Sequence, residues 1–159
     1  YFDRTIYPML TPMLFDSYHT FPVLKYNRLL FGVITKTPQD TNNQFRVSFI
    51  QVPSNIPRFF EIKNNDQTIN FVPVEQIVQN NIHHLFRNVE IESISLFRIN
   101  RNGDFTLEES EDIESNFLEE LKRKLQTRRT GRVVRLDFQG TPSPWLVRLL
   151  KIQWDIDDL

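Results

Sequence analysis

A chain of 159 residues is long enough to bury one sizeable core and short for two independent domains. Hydrophobic residues make up 40% and aromatics 13%, led by 14 Phe, which excludes the disordered class. A net charge of -1, from 19 Lys and Arg against 20 Asp and Glu, removes the global electrostatic case for a nucleic-acid or anionic-membrane binder and leaves only a local patch to consider. With no Cys, disulfides, thiolate metal sites and Cys nucleophiles are excluded, and a reducing, cytoplasmic setting is the inference. No apolar run approaches the roughly 18 residues of a membrane span, and Tyr1-Phe2-Asp3-Arg4 has neither the basic nor the apolar region of a signal peptide. Because Tyr1-Phe2 opens an apolar-rich segment without an initiator Met, the chain reads as part of a longer polypeptide, with a processed N-terminus as the alternative.

In chain order, residues 1–28 carry Pro8, Pro12 and Pro22 among Phe, Tyr and Leu, a lead-in with room for a short opening helix before an irregular, packed segment. Leu29 to Lys36 is a β-rich apolar run. From Phe45 to Val52 the residues alternate, with Phe45, Val47 and Phe49 on one side and Ser48, Ile50 and Val52 on the other, so both segments read as strands. The polar, turn-rich stretch 37–44 reads as the hairpin loop between them. Arg58 to Ile62 predicts a third strand. Pro73 suits the first turn of a helix, and Val74, Ile77, Val78, Ile82, Leu85 and Phe86 recur at helical spacing, which predicts a helix over 73–86.

Val89 to Ile99 is β-branched and aromatic on both faces, as in a central strand, and Asn100-Arg101-Asn102-Gly103-Asp104 breaks it. A long helix follows, opened by the capping box Thr106 with Glu109, striped by Ile113, Phe117, Leu121 and Leu125, and stopped by Gly131. Val133 to Phe138 predicts another strand, Pro142 to Lys151 a short helix, and Trp154 to Leu159 a frayed end. The order of segments predicts a single α+β domain: a mixed or antiparallel sheet with helices packed mainly on one face.

Candidate chemistry is sparse. Asn100, Asn102, Gly103 and Glu109 fall at calcium-loop positions, but the first position is Arg98, a cation where a ligand is needed. His83 and His84 are adjacent, so on a helix they diverge by about 100° and do not face one metal together, and His19 stands alone. Four Gly form no phosphate-cradling cluster, so neither a catalytic nor a metal-binding residue is assigned. The remaining signal is the cationic segment 122–135, with Lys122, Arg123, Lys124, Arg128, Arg129, Arg132 and Arg135. It reads either as a helix C-terminus complementing its dipole or as a source of guanidinium forks for phosphate.

Several words of the sequence are distinctive. Ile6-Tyr7-Pro8-Met9-Leu10-Thr11-Pro12, Val52-Pro53-Ser54-Asn55-Ile56-Pro57-Arg58-Phe59, Phe71-Val72-Pro73-Val74-Glu75 and Phe97-Arg98-Ile99-Asn100-Arg101-Asn102-Gly103-Asp104 resemble, in order, the middle or head domain of the long bacterial polyphosphate kinases. The resemblance runs over 1–159. It implies a parent enzyme that reversibly transfers the terminal phosphoryl group of ATP to inorganic polyphosphate through a phosphohistidine, with Mg2+ and ATP held by N-terminal and C-terminal domains outside this stretch. For this domain it implies an inactive structural and assembly role between those domains and a second subunit of a dimer or tetramer. The setting it implies is cytoplasmic, with peripheral inner-membrane association of the parent. Arg98, Arg101, Arg128, Arg129 and Arg135 are the polyphosphate-contact candidates. The alternative is a free-standing nucleic-acid-binding module that uses the Arg-rich segment 122–135, against which the near-neutral charge counts.

Overall fold

The computed structural model describes residues 1–36, 46–63, 68–102 and 131–156. The expected hairpin loop 37–44, the long helix after Thr106, and with it Arg128 and Arg129, lie outside the described residues.

The lead-in begins with a π-helical turn, Phe2–Ile6, and a 3-10 turn, Tyr7–Met9. It then contributes a strand, β1 (Met13–Phe15), where an irregular segment was expected. Three residues are too few to show periodicity, and the strand is specified by antiparallel pairing with β3 (Arg46–Gln51), Met13 opposite Phe49. β2 (Leu29–Lys36) and β7 (Val133–Phe138) follow the sequence expectation, and the long β6 (Glu90–Arg101) does so up to Ile99 but runs on through Asn100 and Arg101, where a break was expected, because both pair with β7. Together they form one antiparallel sheet in the order β1-β3-β2-β6-β7. A separate hairpin pairs β4 (Phe59–Lys63) with β5 (Ile69–Pro73), the second strand unforeseen because its Ile69 and Phe71 face outward.

The alternation read along 45–52 corresponds to two cores. Ile50 and Val52 join Phe31, Val33 and Leu96 on one face of the sheet, under Phe2 and Ile6 of the opening turn and Val74, Val78 and Ile82 at four-residue spacing. Val47 and Phe49 join Leu30, Ile34, Phe97 and Ile99 on the opposite face, under Leu146 and Leu150. The fold is therefore α+β with antiparallel sheets. Most described helical turns lie on one face, and the helix carrying Leu146, α2 (Pro144–Trp154), covers the other. Burial on both sides explains why β2 carries an uninterrupted apolar run. Gly32 at its centre lets α2 approach: a Cβ there would stand 2.6 Å from Leu146 Cδ2.

Two helix boundaries depart from expectation. Pro73 is the last residue of β5 and the N-cap of α1 (Val74–Asn81), extended at ψ 147°. α1 gives way at Asn81 to a 3-10 turn, Ile82–Leu85. The Asn81 side chain donates to the Ile77 carbonyl at 2.8 Å, a local bond that competes with regular helix. At the other end, Trp154 is no frayed residue: its ring packs edge-on to Phe21 at 5.6 Å. Asp155, in the left-handed region at φ 50°, closes α2, with the Ile156 N–H donating to the Lys151 carbonyl.

Candidate anion-binding edge of the sheet

Side-chain parity along β6 divides the candidate arginines. Arg98 shares the face of Leu96, whereas Arg101 follows Phe97 and Ile99 toward the opposite core. The β6–β7 register sets Arg98 directly opposite Asp137, and Arg135 precedes Asp137 by two residues on the same face. One carboxylate thus holds two guanidiniums: Arg98 Nη2 donates to Asp137 Oδ2 at 3.1 Å and Arg135 Nε to Oδ1 at 2.6 Å. The bond from Arg135, reinforced by Arg98, holds the Asp137 carboxyl below the ordinary aspartate range despite an opposing desolvation. Both arginines stay partly in solvent, although Arg98 Nε is buried without a protein partner.

Arg101 is different. A register irregularity between Asn100 and Arg101 turns the strand end, and Arg101 Nη1 donates to the Gly131 carbonyl at 2.7 Å and Nη2 to that of Leu24 at 3.5 Å. Desolvation lowers its pKa, though an arginine remains charged. This side chain ties together three segments of backbone. Arg98 and Arg135 are brought together, and Arg101 stands apart from them.

Two partners were missed in the sequence. Arg58, just before β4, donates to Glu75 Oε1 on the first turn of α1 at 2.9 Å, and the Val74 N–H donates to the Arg58 carbonyl at 2.7 Å. Arg58 and Glu75 line a groove of about 280 Å3 together with Arg98 and Asp137. It adjoins a second groove of about 210 Å3, lined by Arg28, Arg58 and Glu75. Both residues lie in words quoted above, but no spacing rule couples positions 58, 75, 98 and 137.

The histidines lie elsewhere. His83 and His84 occupy the exposed 3-10 turn with ring centroids 4.3 Å apart, and His84 Nδ1 lies 3.8 Å from Asp3 Oδ1. His19 Nδ1 is 2.7 Å from Asp16 Oδ1, an oxygen that also accepts the Tyr18 and His19 backbone N–H groups. These bonds, first that from the His19 ring, hold the Asp16 carboxyl below its ordinary range. Among the described residues no group of three His, Asp or Glu is placed to hold a metal, and no helix is long and apolar enough to cross a membrane. Of the alternative's segment 122–135 only the end is described: Arg132 donates to the Asp155 carbonyl and Arg135 to Asp137.

Fold and site together define a small α+β domain that presents paired guanidiniums at one edge of an antiparallel sheet. Over residues 1–159 the chain matches the family described as the polyphosphate kinase middle domain, and it belongs to that family. It is 33% identical over 150 residues to a polyphosphate kinase of Halalkalibacterium halodurans, covering 94% of this chain and 21% of that one. It is 34% identical over 157 residues to a polyphosphate kinase of Dictyostelium discoideum, covering 99% and 14%. The fold is similar to that of the polyphosphate kinase of Porphyromonas gingivalis, with a TM-score of 0.70 at 19% identity over 98% of this chain and 21% of that chain. The chain therefore spans about a fifth or less of the length of these relatives.

Proposed function

We propose that this chain is the non-catalytic structural and assembly domain of an enzyme that transfers the terminal phosphoryl group of ATP to inorganic polyphosphate. In this reading a histidine outside the stretch takes the phosphoryl group and releases ADP. An oxygen of the polyphosphate terminus then displaces that histidine. Mg2+ and ATP are held by the other domains. The observation that carries the reading is the match to the middle-domain family along 1–159. Arg98 and Arg135 are the contacts through which the domain meets polyphosphate, because one carboxylate holds both guanidiniums side by side at a partly exposed edge of the sheet. Arg101 is a framework residue.

Assembly is supported by the β4–β5 hairpin, one face of which carries Phe59, Ile69 and Phe71, exposed by 58%, 65% and 60%. The rest of the parent polypeptide covers this face, since four fifths of a relative such as that of Halalkalibacterium lies outside the matched stretch. Hydrogen exchange of residues 59–73 tests this: slower exchange in a monomeric full-length enzyme than in the 159-residue chain supports it, and protection that appears only on oligomerisation assigns the face to a second subunit.

The catalytic part is tested with radiolabelled ATP and Mg2+. The 159-residue chain is expected to form no polyphosphate and to take no acid-labile label, whereas the full-length enzyme does both. Phosphohistidine at His19, His83 or His84 in the isolated chain would overturn the reading.

A further inference from the structure

The two ion-pair systems described above face one groove. Arg58 and Glu75 come from the junction of the β4–β5 hairpin and α1, and Arg98 and Asp137 from the β6–β7 ladder. Arg28 lines the adjoining groove that shares Arg58 and Glu75, and Arg135 shares the Asp137 carboxylate. Four guanidiniums, from Arg28, Arg58, Arg98 and Arg135, thus stand against the two carboxylates of Glu75 and Asp137, a local surplus of two positive charges on a chain whose net charge is -1. Within the groove itself Arg58 and Arg98 balance Glu75 and Asp137, and the surplus comes from Arg28 in the adjoining groove and Arg135 beside Asp137, so it is the field of these flanking guanidiniums that favours an anion. The carboxylates do not cancel this preference: each fixes one edge of a guanidinium fork and leaves other N–H groups free to donate.

Size and hydrogen-bonding capacity narrow the ligand. At about 280 Å3 the groove is slightly below the ~300 Å3 at which drug-sized pockets begin, so it suits a small, highly charged group better than a base or a ring. Among the described residues, Arg98 Nε and Glu75 Oε2 are buried without a protein partner, so one donor and one acceptor on its two walls remain for a ligand or its waters.

We infer that this groove is a phosphate seat clamped from two sides, with Arg58 on the hairpin wall and Arg98 on the sheet wall, which takes a multiply charged phosphate chain. Glu75 and Asp137 are its positioning residues. The phosphate chemistry follows from the groove. Its source, a condensed phosphate or the tail of a nucleoside triphosphate, rests on the function proposed above.

Calorimetric titration of the 159-residue chain with sodium tripolyphosphate, without magnesium, tests the seat. One saturable site is expected, weakened about tenfold by Arg58→Gln and by Arg98→Gln, the loss of one charge-assisted contact each. Arg87→Gln, an exposed arginine outside the groove, should leave it unchanged. Arg58→Lys keeps the charge and loses the fork, so it should also weaken binding. Arg58 is 61% exposed, which makes its variants safe for folding and keeps the test valid if Arg98→Gln unfolds. Tighter binding of tripolyphosphate than of ATP assigns a condensed phosphate, and equal binding assigns the nucleotide tail. The absence of heat, equal loss with Arg87→Gln, or equal binding of citrate overturns the seat. None of these results bears on histidine labelling, so the seat and the proposed function fail separately.

Discussion

Arg98 and Asp137 face each other across the β6–β7 ladder, their side chains 3.1 Å apart, and Arg135 holds the other oxygen of the same carboxylate at 2.6 Å. The pairing depresses the Asp137 carboxyl, so it contributes stability that is present above the unfolded aspartate value of about 3.9 and is lost as the pH falls through the lower folded value. The groups are partly exposed, so the contribution is small, about 0.5–1 kcal/mol. Asp137→Asn should lower the urea midpoint at pH 7 and reduce the stability lost between pH 5 and pH 2. Parallel acid profiles for variant and wild type would show that the bridge contributes nothing to folding.

Arg101 is expected to behave as a framework residue. Removing its bonds to the Gly131 and Leu24 carbonyls with Arg101→Ala should cost about 1.5–3 kcal/mol by chemical denaturation. Arg101→Lys should recover part of this. Neither should change tripolyphosphate binding. A variant of unchanged stability with weakened binding would return Arg101 to the contact set.

Gly32 and Leu146 form a close sheet-to-helix contact in the second core. Leu146 is 0% exposed and its side chain must shift within the packed core to admit a methyl group, so Gly32→Ala should destabilise the chain by about 1–3 kcal/mol through overpacking. Leu146→Ala opens a cavity and should cost about 2–5 kcal/mol alone. Because the new methyl occupies space that Leu146 vacates, the double variant should be clearly more stable than the sum of the two losses implies. Simple additivity would show that the helix does not rest on this glycine.

Much of the sheet was legible because β2, β3, β6 and β7 are built from β-branched and aromatic runs buried on both faces or alternating between them. β1 and β5 were not: the first has three residues and is held by its partner β3, and the second turns Ile69 and Phe71 outward. The break of α1 at Asn81 depends on one side-chain bond to Ile77, which no apolar periodicity reveals. In the site, the charges of Arg98, Arg101 and Arg135 were visible, but their grouping was not. Strand parity and the irregularity beside Asn100 separate Arg101 from the others, while Asp137 reaches Arg98 across 39 residues of sequence and so joins it to Arg135. Arg58 and Glu75 meet only because the hairpin returns to the first turn of α1.

The most direct test of the account is the Michaelis constant for polyphosphate, over a salt series, of the full-length enzyme carrying Arg98→Gln or Arg135→Gln, with folding checked by circular dichroism. Each lost charge-assisted contact should raise the constant about tenfold at low salt and flatten its salt dependence, while kcat at saturation changes little. Wild-type constants and salt dependence in both variants would contradict the proposed contact role and leave these arginines as braces for the β6–β7 edge.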